Sequence, residues 1–199
     1  MPMGNLRSVY NAVFQNGFDP LFVEPGQNFD DLTHLIVPGV GNFRAVMEYL
    51  DDQGISPRIR NFSASGRPLL GICAGMQALA ELGAESGQTL GLGLVQGRVE
   101  RLEESEELLL PHVGWSGVKF CFPHPVTDGV KPGRDFYFVH SYAIQHAPAE
   151  ERLGESHYGV PFSSIVARGN VVGFQFHPEK SQINGLKLIE NFCRWDGQC

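Results

Sequence analysis

Three residues in this chain have the types and the setting for nucleophilic catalysis. Cys73 lies in Pro68-Leu69-Leu70-Gly71-Ile72-Cys73-Ala74-Gly75-Met76-Gln77, an apolar run that ends in Gly-x-Cys-x-Gly just ahead of a helix-like segment. Gly71 and Gly75 let the backbone turn sharply from strand to helix, the kind of strained turn on which a nucleophile can be presented. A thiol at the N-terminal end of a helix is favoured as the thiolate. Such a nucleophile needs a base, and the base needs a group to orient it. His177 is the outstanding histidine, in Gly173-Phe174-Gln175-Phe176-His177-Pro178-Glu179-Lys180-Ser181. Strand alternation ends at His177, and Pro178 both stops the strand and biases His177 to an extended conformation. Glu179, two residues on, can accept the imidazole N–H, which fixes the tautomer and stabilises the imidazolium. The chemistry this set supports is acyl transfer through a covalent intermediate.

An acyl-enzyme also needs donors for its oxyanion. The backbone N–H of Ala74, next after the thiol, is the natural first donor. Pro38-Gly39-Val40-Gly41 ends a predicted strand and can bring a second N–H close, because Gly39 and Gly41 permit the approach. The chain order is cysteine, histidine, acid. In α/β-hydrolases the acid precedes the histidine, so that fold is disfavoured although the elbow looks alike. The other cysteines, Cys121, Cys193 and Cys199, read as ordinary small apolar residues or a frayed terminus. His34, His124, His146 and His157 fall in bland settings, while His112 and His140 sit on predicted strands.

The elements that must position these groups follow from periodicity. Leu6, Val9, Tyr10, Val13 and Phe14 share one helical face, stopped at Gly17. Leu21–Val23 and Leu35–Val37 read as strands. Helices follow over Phe43–Leu50 and from Ser56-Pro57 to about Phe62. The helix after Cys73 is expected to carry Met76, Leu79, Ala80 and Leu82. Alternating strand and helix predicts a largely parallel sheet covered on both faces. After Gly91 the texture becomes strand-rich: Leu92–Leu102, Leu108–Val113, Phe136–Tyr142, Ser164–Ala167 and Val171–Phe176. Arg168-Gly169-Asn170 is a hairpin turn. The acidic run Glu103–Glu107 and residues 143–160 read as solvated loops, and a last helix carries Ile183, Leu186, Ile189 and Phe192. The expected fold is therefore α/β, a mixed but largely parallel central sheet flanked by helices with an antiparallel-rich C-terminal half. Residues 1–199 form one domain, because the late strands carry residues that the elbow needs.

Composition limits the function classes. The chain has 199 residues with a net charge of −7, which argues against broad nucleic-acid or anionic-membrane binding. Apolar runs such as Leu108–Leu110 are too short to cross a bilayer. No charged-then-apolar leader opens the chain. With no Cys-x-x-Cys pair, neither a metal site nor a disulfide framework is expected, and a reduced, cytoplasmic setting follows as the default.

Together, Gly-Ile-Cys-Ala-Gly-Met-Gln, Pro-Gly-Val-Gly and Phe-His-Pro-Glu-Lys-Ser resemble the class I (triad-type) glutamine amidotransferases, which have a flavodoxin-like sheet. Met3-Gly4-Asn5-Leu6-Arg7-Ser8-Val9, Pro111-His112-Val113-Gly114-Trp115 and Tyr137-Phe138-Val139-His140-Ser141-Tyr142 are similar to segments of the glutaminase subunits of imidazole glycerol phosphate synthases. The resemblance covers nearly the whole chain. It implies that Cys73, His177 and Glu179 hydrolyse L-glutamine through a thioester without a cofactor. Ammonia then passes to a separate (βα)8-barrel cyclase subunit of histidine biosynthesis, the partner of a heterodimer. It further implies that Gly39, Val40, Gly41 and Ala74 shape the oxyanion site. Gln77, Glu85, Ser141 and Tyr142 hold the amino-acid end of glutamine, and Asn5, Trp115, Tyr137 and Lys180 face the partner. Three positions depart from the family pattern. Ala74 replaces a usual Leu, and Ser116 a usual Asn. Met1-Pro2-Met3-Gly4 stands where an apolar first strand, interior to the sheet, is expected, so that strand is missing. A related glutaminase feeding another synthase, for example in amino-sugar pathways, and a non-catalytic binding relative remain as alternatives.

Overall fold

A computed structural model describes residues 5–104 and 108–199 of the chain. The opening residues 1–4, including Met3 and Gly4 of the expected motif, and residues 105–107 of the acidic run lie outside the described residues. Helix α1 (Leu6–Gln15) buries Val9, Ala12 and Val13, as its apolar spacing demands. Strand β1 (Leu35–Gly39) leads through Asn42, whose side chain caps Ala45 N–H, into α2 (Phe43–Asp52). Helix α3 (Ile55–Ala64) follows, then β2 (Leu69–Cys73), which is buried along its whole length. A run buried on both faces is what a parallel interior strand requires. After it come the short helix α4 (Ala74–Ala78) and two short strands, β3 (Leu82–Gly83) and β4 (Thr89–Leu90).

The second half is β5 (Arg98–Arg101), β6 (His112–Phe120), β7 (Arg134–His140), β8 (Tyr142–Gln145), β9 (Gly154–Tyr158), β10 (Val160–Arg168), β11 (Val171–Phe174) and the closing helix α5 (Gln182–Arg194). Along the sheet the order is β1-β2-β11-β10-β8-β5-β3-β4, with β9 branching from β10 to β6 and β6 pairing β7. β1, β2 and β11 are parallel, and the hairpin of β10 and β11 turns at Gly169, whose φ is 54°. The mixed α/β sheet flanked by helices is the fold class expected. Among the described residues no strand precedes β1, which pairs only with β2.

The sheet is closest to α4 along one row. Val37, Gly71 and Gly173 are in register on β1, β2 and β11. A Cβ on Gly71 would lie 2.7 Å from Gly75 O and from Met76 Cα, and one on Gly173 would lie 2.6 Å from Met76 Cγ. On the helix side, a Cβ on Gly75 would stand 1.8 Å from the Val37 carbonyl oxygen. Three glycines thus let α4 rest directly on backbone.

Several sequence expectations change. Leu21–Val23 forms no strand. With β1 lacking a second neighbour, no ladder reaches this segment, and Leu21 and Phe22 stay exposed with Phe22 stacked on Tyr10. The helix after Cys73 ends at Ala78, so Leu79, Ala80 and Leu82 lie beyond it. Leu92–Leu102 is strand only over β5. The apolar residues ahead of it close α4 instead: Leu92 N–H donates to Ala78 O, and Leu94 and Val95 N–H donate to Leu79 O. Of Leu108–Val113 only His112 and Val113 are strand, and they open β6. Residues 143–160 hold most of β8 and all of β9 rather than loop alone. Their polar look hides buried Ser156, whose hydroxyl donates to Gly117 O, and Glu151, which accepts from Gln96 N–H. Cys121 is exposed rather than a core residue. Among the described residues no helix is long and apolar enough to cross a membrane.

The glycine contact gives a direct test. Gly75→Ala should destabilise the chain by about 3 kcal/mol, lowering Tm by roughly 6–12 °C in a thermal melt. An unchanged Tm would show that α4 is not seated on Val37.

Candidate active site

Cys73 ends β2 and precedes α4 with φ 55° and ψ −115°. An L-residue is held in this region only by its surroundings, at a cost of about 1–3 kcal/mol. The side chain is buried, and Gly39 of β1 stands directly across from it. A Cβ on Gly39 would lie 2.5 Å from Gly75 N and 2.9 Å from the Ala74 carbonyl carbon. Gly39 is therefore pressed against the backbone that follows the thiol, beside the Ala74 N–H. Val40 and Gly41 (φ 100°) continue into the N-terminus of α2. With only five residues, α4 offers the thiol a weak dipole.

His177 follows β11 at the start of a tight turn over Pro178–Lys180. Its backbone N–H donates to Tyr137 O at 2.9 Å. Its Nδ1 lies 2.8 Å from Glu179 Oε1, and its ring adjoins the Cys73 side chain, whose thiol is directed at Val139 O at 3.9 Å. Burial alone would push the imidazole down. The neighbouring Cys73 and Glu179 side chains outweigh it and raise the group from 6.5 to about 9. The Glu179 side chain is fully buried, and its Oε2 has no hydrogen-bond partner among the described residues. Asn5, expected at the partner face, donates from Nδ2 to Glu179 Oε1. It thereby shares the oxygen that holds the imidazole.

The turn carrying His177 and Glu179 is fastened by two residues that sequence reasoning missed. Buried Ser181 donates its hydroxyl to His177 O at 2.7 Å and accepts from Tyr137 N–H at 3.0 Å. Gly185 lets α5 pack on the turn, since a Cβ there would lie 1.9 Å from Pro178 O. The signal for both was a serine and a glycine in the first turn of the last helix, which has no meaning until the turn is seen.

The other predicted residues fall around this centre. Gln77, on α4, is buried, and its Nε2 donates to Tyr142 O at 2.7 Å and Gln175 Oε1 at 3.0 Å. Gln175 Nε2 in turn lies 3.9 Å from Cys73 Sγ. Ser141 and Tyr142 form the bend from β7 to β8. Glu85 accepts the Phe43 N–H at 2.7 Å, and neighbouring Ser86 accepts from Asn42 Nδ2 at 2.9 Å. Residues 85–86 thus clamp the N-terminus of α2, just past Val40 and Gly41. Trp115, Tyr137 and Lys180 group at the surface. The Trp115 and Tyr137 rings meet edge to face at 5.8 Å, and Lys180 Nζ lies 5.7 Å from the Tyr137 ring. A cavity of about 420 Å³ opens beside them, lined by Trp115, Arg134, Asp135, Ser181 and Gln182, with Cys73 outside it. The structure therefore brings the buried His177–Glu179 pair beside the buried Cys73 side chain, with Gly39 and Gln175 close by.

A raised imidazole binds its proton more tightly in the folded chain than in the unfolded one. Its contribution to stability is complete below the unfolded value of 6.5 and is lost as pH rises through about 9. NMR titration should find the His177 ring still cationic at about pH 7.5, with Glu179→Gln shifting its midpoint downward. A wild-type midpoint near the ordinary histidine value would contradict the Cys73–His177–Glu179 coupling.

Comparison with known proteins points the same way. The family model described as "Glutamine amidotransferase class-I" matches residues 5–194. The imidazole glycerol phosphate synthase subunit HisH of Sulfurimonas denitrificans is 42% identical over 196 residues, covering 97% of this chain and 94% of that protein. The HisH subunit of Desulfitobacterium hafniense is 43% identical over 192 residues, covering 96% and 90%. Among solved structures, a glutamine amidotransferase superposes with a TM-score of 0.75 at 22% identity, covering 96% of this chain and 94% of the other. PurLQS from Thermotoga maritima superposes with a TM-score of 0.77 at 19% identity, covering 96% and 93%. These two likenesses bear on the fold alone.

Proposed function

The chain belongs to the class-I glutamine amidotransferases, and we propose that within them it serves as the glutaminase subunit of an imidazole glycerol phosphate synthase. The observation that carries this reading is the His177 ring held between the Cys73 thiol and the Glu179 carboxylate, in a chain similar over nearly its whole length to HisH subunits. Residues 1–199 work as one amidotransferase domain, in the cytoplasm, with no cofactor.

Cys73, as thiolate paired with the His177 imidazolium, attacks the side-chain amide carbon of L-glutamine. The tetrahedral oxyanion is met by the Ala74 N–H and by a backbone N–H of the Gly39–Gly41 segment. Each such donor contributes about 2.7–4 kcal/mol to transition-state stability. As the C–N bond breaks, His177 gives its proton to the leaving nitrogen, and ammonia and a γ-glutamyl thioester result. Water then attacks the thioester while His177 takes its proton. The C–S bond breaks, and glutamate and the thiolate are restored. Glu179 keeps the imidazole in one orientation through both steps, and Asn5 holds that carboxylate. Glu85, with Ser141 and Tyr142, receives the amino-acid end of glutamine, the carboxylate facing the substrate ammonium. Gln77 acts from behind, since its amide nitrogen is committed to Tyr142 O and Gln175.

Ammonia is delivered to a separate (βα)8-barrel cyclase subunit, which builds it into the imidazole ring. Trp115, Tyr137 and Lys180 form the face toward that partner. In the assembled complex, Cys73→Ala should abolish glutamine-dependent synthesis and leave ammonia-dependent synthesis intact. Glutamine use by the Cys73→Ala complex would remove the nucleophile assignment. A wild-type chain that raised no barrel subunit's glutamine-dependent turnover would remove the synthase assignment.

A further inference from the structure

Two histidines beside the site take no part in the thiol–imidazole–carboxylate line. His112 on β6 and His140 on β7 are directly opposite in the antiparallel register, so their side chains share one face. His112 Nδ1 lies 3.1 Å from His140 Nε2. His140 Nδ1 lies 2.9 Å from Tyr142 O, and His112 Nε2 lies 2.9 Å from Ser116 Oγ. A carbonyl oxygen only accepts, so His140 carries its proton on Nδ1 and accepts at Nε2. His112 must then donate from Nδ1 and accept the Ser116 hydroxyl at Nε2. The chain of hydrogen bonds runs one way, from Ser116 through His112 and His140 to the Tyr142 carbonyl, with both rings neutral. Their setting fits. Both are buried, Tyr158 stacks on His112 at 4.1 Å, and Phe138 and Phe162 enclose the pair. Burial holds His112 down at about 4 and, together with the nearby charges of His112 and His177, His140 at about 3.

The end of this chain is what gives it a role. The Tyr142 carbonyl also receives the Gln77 amide N–H. Two donors from opposite elements, α4 and β7, therefore fix one peptide plane at the bend between β7 and β8. We propose that Ser116, His112 and His140 are positioning residues that set the Ser141–Tyr142 bend for glutamine. They tie that bend to β6 beside Trp115, which is exposed. The proposal rests on the glutaminase reading of the same site. The histidines touch neither the thiol nor the reacting amide. Their loss should weaken glutamine binding and spare the chemical step.

The test uses the chain assembled with its barrel subunit. His140→Leu keeps apolar volume in the aromatic box and removes the donor to Tyr142, and it should raise KM for glutamine by about three- to tenfold with kcat little changed. Ser116→Ala, a half-buried position that will not upset folding, should raise KM by about twofold. His140→Asn, whose amide can stand in for Nδ1–H, should recover part of the loss. In parallel, 15N NMR of the wild-type chain should find His112 and His140 neutral at pH 6 and protonated on Nδ1. Variants with lowered Tm but wild-type KM, a fall in kcat with KM unchanged, or Nε2 protonation of His140 would each overturn the proposal. Inactivity of the wild-type complex would instead remove the glutaminase reading, leaving the NMR result to judge the hydrogen-bond chain alone.

Discussion

Cys73 is held at φ 55° and ψ −115°, a backbone state that an L-residue does not keep unaided. What keeps it there is the seating of α4 on the sheet. Gly71, Gly75 and Gly173 remove the side chains that would lift the helix, and Gly39 removes the one that would push β1 away from the Ala74–Gly75 backbone. At Gly39, Gly71 and Gly75 the closest contacts are backbone against backbone, and at Gly173 the Met76 side chain rests on the strand, so the seating tolerates little adjustment. The strained turn, the position of the thiol and the approach of the candidate oxyanion strand are therefore one constraint. A side chain added at any of these glycines would disturb all three together.

The second half of the molecule supplies the group that gives this thiol a use. β11 lies beside β2, so the chain leaving β11 emerges next to the elbow. His177 is then fastened from three directions: through its N–H to Tyr137, through its carbonyl to Ser181, and through its ring to Glu179. Asn5 reaches the same carboxylate from the start of α1. Residues far apart in sequence thus meet over a few ångströms.

The sequence made the elbow, the base and its acid legible because each is a local pattern. Two glycines around a cysteine mark a turn, and a proline after a histidine marks a strand end. The amphipathic helices were legible for the same reason. The misreadings come from apolar runs whose partners are not local. Leu92–Val95 looks like a strand, yet it serves to cap the carbonyls of a helix that stops early. Leu21–Val23 has strand composition, but no strand among the described residues pairs with it. Asn5, read at the partner face, also meets Glu179 through its amide, a contact that no local pattern shows. Ser181 closes the Phe-His-Pro-Glu-Lys-Ser motif with no role assigned to it there, and Gly185 carries no pattern. Their importance arises from the closeness of α5 to Pro178, which only the folded chain reveals.

We propose that Cys73, alone among the four cysteines, is the nucleophile, with the buried His177 beside it. Burial pushes the Cys193 thiol up to about 12, and burial first of all raises Cys121 and Cys199 as well. The most direct measurement is mass spectrometry of the complex after brief exposure to an electrophilic analogue of glutamine, a γ-diazoketone amino acid. The account predicts a single adduct, on the peptide carrying Cys73, formed more slowly when excess L-glutamine is present. Labelling of Cys121, Cys193 or Cys199 in its place, or labelling of Cys73 that L-glutamine does not slow, would contradict it.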